Sequence, residues 1–273
     1  MQTIASPLPR SLQQLRRARR ISQMELSFRL GVSQRHISFV ESGRSKPSRE
    51  LLLDWLQTLD APLGLRNELL LQAGYAPAYA ATPLTAPALA RATQALAQLL
   101  QAHDPMPAMV LDAQWNLIGL NRGAAWLAAT LLPWAPQLAD GMPISQPVNM
   151  LDLFIHPEGL VNAVANVDEI GMQLLEQLRQ EASAEPAIQP KVEALADLLR
   201  ARIGGDRRKG GNQLPSASPA LITRYTTRYG PLAFFMTFTT FGRPQDITLA
   251  SLRVEHLFAA DEATRATLAR HVP

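Results

Sequence analysis

The chain has 273 residues, of which 47% are hydrophobic, and a formal net charge of +3. That length accommodates two domains of ordinary globular composition. Cysteine is absent, which excludes disulfides and thiol redox sensing. The amino terminus lacks an apolar signal core, and no run of about eighteen apolar residues exists to span a bilayer, so a cytoplasmic protein is expected.

Charge is unevenly placed. Residues 1–75 carry eleven Lys or Arg against six Asp or Glu, a balance of +5, and the remaining 198 residues carry fifteen against seventeen. A local basic excess is the electrostatic footprint of phosphate binding. The run Arg16, Arg17, Arg19 and Arg20 is, taken alone, equally compatible with a solvated helix face.

In chain order, the first predicted helix lies in SLQQLRRARRI, residues 11–21, with Leu12, Leu15 and Ile21 available for packing. SQMELSFRLGVSQRHISFVE, residues 22–41, then reads as two short helices joined by a turn at Gly31, where a positive φ carries no Cβ penalty. Leu26, Leu30, Val32, Ile37 and Val40 supply an apolar contact surface, and Ser27 falls where crossing helices leave little room. Ser22 and Ser33 each precede a helix and can cap it. On the second helix, Gln34, Arg35 and Ser38 form a polar face, and Gly43 is a stop. A basic turn follows at Arg44, Ser45, Lys46, Pro47, Ser48 and Arg49. Helical spacing recurs at Leu51, Leu52, Trp55, Leu56 and Leu59 and again at Leu65, Leu69 and Leu70, giving five helices in an all-α domain.

The pattern S-Q-x-x-L-x-x-x-x-G-V-S-x-x-x-I-S-x-x-E-x-G-R-x-x-P stands here as Ser22, Gln23, Leu26, Gly31, Val32, Ser33, Ile37, Ser38, Glu41, Gly43, Arg44 and Pro47. It resembles the lambda-repressor and Cro-like helix-turn-helix, in the bacterial branch named after the xenobiotic response element. The resemblance covers about Ser11 to Leu71. It implies that Gln23 holds a phosphate and that Gln34, Arg35 and Ser38 face the major groove. Phe39 replaces the polar residue of some members and is a candidate for a thymine methyl. Ser33 and the basic Arg44 and Lys46 complete the expected DNA-binding set.

APAYAATPLTAP, residues 76–87, has three prolines and reads as a stiff, extended linker. A strong helix follows at residues 88–101. MPAMVLD (residues 106–112) and WNLIGLN (residues 115–121) then read as a hairpin. Helices are expected at residues 122–130, 150–155, 160–182 and 190–203, and a mobile loop at 204–213. Residues 220–228, 232–241 and 247–258, rich in β-branched and aromatic residues, read as strands. A short helix begins near Asp261.

The expected carboxy-terminal architecture is thus α+β, a five-stranded antiparallel sheet with helices on one face, over residues 88–273. The element order resembles the Per-Arnt-Sim fold. More specifically, D-x-x-W-x-x-x-x-x-N within Pro107 to Leu127, N-M-L-D-L-F-I-H-P-E-G-L from Asn149 to Leu160, and T-x-F-G-x-P-x-D-I-T-L-x-x-L-R-x-E from Thr239 to Glu255 resemble the ligand-binding domain of MmyB-type regulators. That resemblance implies a one-component transcription regulator with a small apolar or fatty-acid-like ligand between sheet and helices, and a homodimer on DNA is expected.

The expected lining is Met109, Leu111, Ile118 and Leu120 from the hairpin, Phe234, Met236 and Phe238 from the long strand, and Trp126 and Phe154 from the helices. Each is equally suited to ordinary core packing. Asn121 and Arg122 are candidate head-group contacts, with helix capping as the alternative for Asn121. His156 could hydrogen-bond a ligand or simply end a helix, and Arg224 could face the pocket or solvent. No phosphate loop, nucleophile elbow or HExxH is present, and His36, His103, His156, His256 and His271 lack metal-ligand spacing. A non-enzyme without a metal or other cofactor is therefore expected. The alternatives are a carboxy-terminal domain that serves only dimerisation or protein interaction, or an enzyme domain with a site assembled only in three dimensions.

Overall fold

The computed structural model describes residues 8–135, 138, 140–144, 148–206 and 221–273. The chain falls into two units, one comprising residues up to Thr82 with Arg243–Ala250, the other Pro83–Gly242 with Ser251–Pro273. Among the described residues no helix is long and apolar enough to cross a membrane.

Five helices build the first unit: α1 (Leu8–Ala18), α2 (Gln23–Leu30), α3 (Gln34–Glu41), α4 (Arg49–Thr58) and α5 (Leu63–Gln72). The starts of α2, α3 and α4 are set by hydroxyl caps. Ser22 accepts from the Glu25 N–H at 3.0 Å, Ser33 from His36 at 3.2 Å and Ser48 from Leu51 at 3.2 Å, each satisfying one orphan donor of a first turn. Gly31 ends α2 at φ 64°, the left-handed geometry that a Cβ would penalise. Leu12, Leu26, Ile37, Leu52, Trp55, Leu56 and Leu70 form the core at 0% exposure. Ser27 is buried among them and turns its hydroxyl back to the Met24 carbonyl.

Two of the clustered arginines are structural rather than free. Arg16 Nε and Nη2 donate to the two carboxylate oxygens of Glu41 at 2.6 and 2.8 Å, and its Nη1 donates to the Ile21 carbonyl. Arg19 donates to the carbonyls of Leu59 and Asp60. The residue after the linker's first turns is also held, because Asn67 accepts from the N–H groups of Ala78 and Tyr79 and donates to the Tyr79 carbonyl. Further on, the Asp246 carboxylate accepts from the Thr82 N–H at 3.1 Å, and Ala80 bridges to Asp246 in parallel.

The second unit is α+β. Its strands are β1 (Ala108–Leu111), β2 (Asn116–Leu120), β3 (Val148–Asn149), β4 (Ile222–Thr227), β5 (Gly230–Thr240) and β6 (Arg253–Ala259), in sheet order β3-β2-β1-β6-β5-β4. Its helices are α6 (Ala90–His103), α7 (Arg122–Leu131), α8 (Met150–Ile155), α9 (Leu160–Ala163), α10 (Val167–Ala184) and α11 (Gln189–Asp206), and after α12 (Ile247–Ser251) the chain ends in α13 (Glu262–His271). Helices α7, α8, α10 and α11 share a core with β1 and β2 through Leu111, Leu120, Ala124, Leu151, Leu178 and Leu195. Helix α6 lies on the opposite face, where His103 meets His256 edge to face.

Four expectations need correction. The sheet has six strands, not five, because the two-residue β3 pairs with β2 through Asn116 and Leu117; so short a strand leaves no period in the sequence. The helix expected over residues 160–182 breaks between α9 and α10, where Val164 bridges to Tyr225 and Asn166 accepts from Arg224 N and donates to the Ile222 carbonyl. The third strand of the carboxy-terminal set starts at Arg253 rather than Ile247, since Asp246 accepts from the Thr248 and Leu249 N–H groups and starts a helix instead. Helices cover both faces of the sheet, not one. The loop expected at 204–213 lies largely outside the described residues.

Glu41 shows how strongly the first unit depends on one ion pair. Burial alone would raise its pKa, but hydrogen bonds from Arg16 and Gln23 and the Arg16 charge outweigh it and hold the carboxyl below its ordinary value. The stabilisation is therefore complete above the ordinary carboxylate range and is lost as pH falls through the lowered value. Glu41→Ala should destabilise the first unit by about 3 to 5 kcal/mol, since Arg16 is left buried and unpaired. Urea unfolding followed by helical circular dichroism checks this; a loss below about 1 kcal/mol would reduce the pair to a surface-type contact.

Candidate DNA interface and ligand cavity

Helix α3 presents the residues that a groove-reading helix requires. Gln34 and Arg35 are exposed, Ser38 and Phe39 are half-buried, and Ile37, Val40 and Glu41 face inward. The Arg35 guanidinium sits 5.1 Å from the Phe39 ring centroid and that of Arg44 sits 5.8 Å away, so one aromatic ring organises two cations. Arg44 is further fixed by its N–H donating to the Phe39 carbonyl at 2.8 Å. The Lys46 ammonium lies 4.7 Å from the Tyr75 ring, and the Tyr75 hydroxyl donates to the Pro47 carbonyl. Ser33 has its hydroxyl oxygen engaged in capping. Gln23 donates one amide N–H to Glu41 at 2.8 Å, which leaves one for a phosphate.

The second unit contains an apolar cavity of about 160 Å³ between the sheet and its covering helices. Strand register explains its floor. Met109 stands opposite Leu120 on one side and Glu255 on the other, and Met236 stands opposite Leu257, so these side chains share one face. Of the residues expected to line a pocket, Met109, Leu120, Phe154, Phe234 and Met236 do so.

The others are placed elsewhere. Leu111 is wholly buried in the core. Ile118 and Phe238 lie outside the lining, and Phe238 is 44% exposed with the Arg253 guanidinium 5.7 Å from its ring. Trp126 stacks on Tyr229. Asn121 is structural: its oxygen accepts from the N–H groups of Ala108 and Ala124, and its nitrogen donates to the carbonyls of Leu100 and Met106. All four of its hydrogen-bonding positions are filled, so none remains for a ligand. Arg122 points to the surface, pairing with Asp104 and the Pro273 carbonyl. His156 ends α8, stacks on Trp134 and accepts from the Glu158 N–H. Arg224 pairs with Glu169 on the outside.

Polar groups that the sequence reading passed over do reach the cavity. Glu255, only 5% exposed, and Gln177 on α10 are part of its wall, with Trp115 and Tyr225. Behind them Arg253 donates to Glu255 at 3.1 Å and to Glu181 at 3.0 Å, and its guanidinium lies 4.2 Å from the Trp115 ring. Trp115 Nε1 and Gln177 Nε2 also donate to Glu181. Burial pushes the Glu255 carboxyl up to about 7, against the opposing pull of Arg253. Burial, with Glu255 nearby, pushes the Tyr225 phenol up to about 12. The available signal was R-x-E on a largely apolar strand: alternation puts both charges on one face, where only a partnered or functional pair is tolerated.

A helix-turn-helix that exposes Gln34 and Arg35 on its second helix, joined to a domain with an apolar cavity, defines a DNA-binding regulator with a ligand-binding domain. Family comparison agrees with that class. A model described as "MmyB-like transcription regulator ligand binding domain" matches residues 92–270, and one described as "Helix-turn-helix" matches residues 12–65. The chain belongs to the MmyB-like transcription regulators. No curated protein matches it significantly.

The raised pKa of Glu255 has a stability consequence. A carboxyl held above its unfolded value contributes stability that is present below about pH 4.5 and lost as pH rises through about 7. Glu255→Gln, which cannot ionise, should lose less thermal stability than the parent protein between about pH 5 and about pH 8, a differential on the order of 3 kcal/mol. Parallel melting curves for the two proteins across that range would contradict the assignment.

Proposed function

We propose that this protein is a homodimeric, sequence-specific DNA-binding transcription regulator whose DNA affinity is set by a small apolar or fatty-acid-like molecule held in the cavity. The single observation that carries this reading is an apolar cavity in the same chain as a helix-turn-helix. In this reading Gln34, Arg35 and Ser38 meet base edges in the major groove and Phe39 meets a thymine methyl. Gln23, Ser33, Arg44 and Lys46 meet the sugar-phosphate backbone. Two-fold symmetry places two recognition helices about one helical turn apart on a roughly palindromic operator.

Ligand control requires that the effector bind the DNA-competent and incompetent states with different affinity. Chain continuity offers a route. Strands β5 and β6 both contribute to the cavity, and the segment joining them carries Asp246, which holds Thr82 and Ala80 of the linker. A ligand that shifts these strands thereby acts on the tether of the DNA-binding unit.

Binding of the full-length protein to DNA upstream of its own gene, across a salt series, tests the interface. Arg35→Ala should cost about 1 to 3 kcal/mol at the cognate site and relax preference at one base pair. An equal loss on every sequence would make Arg35 a backbone contact. Arg44→Ala should weaken binding to all DNA and reduce the salt slope by about one, whereas an unchanged slope would remove Arg44 from the interface.

A further inference from the structure

Resting on the homodimer of the reading above, we propose that the two copies join through the open edge of β5. Residues Thr237 to Thr240 pair antiparallel with the same edge of a second copy, so that one sheet runs across the dimer.

Among the described residues the margins of the sheet are defended everywhere else. Strand β3, on one side, is two residues long. Strand β4, on the other, is covered by the link between α9 and α10: Val164 bridges to Tyr225, the Ala165 N–H donates to the Arg224 carbonyl, and Asn166 donates to that of Ile222. Pairing of β4 with β5 stops at Ile222 opposite Phe235, whereas β5 runs on to Thr240 beside β6 alone. An uncovered strand edge is a template for another strand unless charge, proline or a bulge blunts it. None does so here. Residues 230–242 include no charged residue, the register with β6 is regular, and Pro231 lies in the stretch that β4 covers.

Exposed apolar side chains gather at the same place. Met236 and Phe238 stand on the cavity-side face, Phe258 and Leu99 on the α6 side, and Leu221 just ahead of β4. Leu99 borders a groove of about 70 Å³ with Thr239, Phe241 and Val254. A helix docked from either side covers one of these faces, but an added strand reaches both.

Backbone parity fixes the register. The Ala233 carbonyl accepts from the Ala260 N–H, so odd-numbered residues of β5 turn their backbone groups to β6, and Phe238 and Thr240 turn theirs outward. A two-fold axis at Thr239 pairs both at once. Phe238 exchanges N–H···O bonds with Thr240 of the second copy, Thr240 does so with its Phe238, and Thr239 faces Thr239 across the axis. Threonine opposite threonine and threonine beside an aromatic ring are favourable cross-strand pairs. Two uncharged strands meet without like-charge repulsion, and Arg253, 5.7 Å from the Phe238 ring, is already paired with Glu181 and Glu255. The edge thus suits its own copy, and a two-fold dimer is also what a palindromic operator requires.

The chain has no cysteine, so single cysteines report the register directly. In full-length protein under mild oxidation, Thr239→Cys should give a disulfide-linked dimer, because directly opposed, non-hydrogen-bonded residues stand about 4.5 Å apart at Cα. Thr237→Cys, on the same face but four residues out of step with its own copy, is separated from it by roughly 14 Å and should not cross-link. Phe238→Pro removes only an outward N–H. By sedimentation velocity it should weaken dimerisation on the order of tenfold or more, through the hydrogen bonds lost on both strands. The cysteine comparison decides even where the proline variant misfolds. A parent dimer in which Thr239→Cys cross-links no faster than Thr237→Cys, or which a folded Phe238→Pro leaves intact, overturns the edge pairing while the homodimer reading stands. A parent protein that stays monomeric with and without its upstream DNA overturns both.

Discussion

Strand β6 must bury both of its faces, and that constraint organises the second unit. Val254 and His256 turn to the α6 side, while Glu255 and Leu257 turn to the cavity side, and all four are buried. A wholly apolar strand would give a closed core on both sides. Here an R-x-E pair on the inner face imports two charges that must be neutralised, so α10 supplies Glu181 and Gln177, and the β1–β2 turn supplies the Trp115 indole N–H and ring. Burial lifts the Glu255 carboxyl to about 7 even so, against the opposing pull of Arg253.

The first unit solves a comparable problem in the opposite way. Glu41 is as buried as Glu255, but both of its oxygens are met, by Arg16 and by Gln23. The result is a carboxyl held below its ordinary pKa and an ion pair that ties α1 to α3. One buried carboxylate is thus fully satisfied and structural, and the other is bonded to Arg253 and forms part of a cavity wall. Comparing the two separates scaffold from site more sharply than burial does, since their exposures are 6% and 5%.

Local chemistry made the helix-turn-helix legible in sequence. Ser22, Gly31 and Ser33 act through their own backbone neighbours, so their roles follow from residue type and spacing. What was not legible depends on distant partners. Arg16 reads as one more basic surface residue until Glu41, twenty-five positions away, is brought beside it. Asn121 sits at a strand-to-helix junction where a ligand contact and a cap look alike, and only the positions of Leu100, Met106 and Ala108 show that it is spent. On β5 the alternation expected to carry Phe234, Met236 and Phe238 to the cavity holds for the first two and fails at the third, because the strand runs past the cavity's edge. Glu255 closes an R-x-E pair in the sequence, but its place on the cavity wall was not legible, because Glu181 and Trp115, which hold Arg253 beside it, come from distant parts of the chain.

A cavity near a DNA-reading unit regulates only if its occupancy changes the DNA-binding equilibrium. The most direct measurement of that claim is the affinity of the full-length protein for its upstream DNA before and after removal of bound amphiphile, at fixed salt. A sequence-specific affinity that changes on removal and returns when the amphiphile is added back is the result this account requires. Tight, specific binding that is indifferent to removal would contradict it and leave the second unit as a dimerisation module.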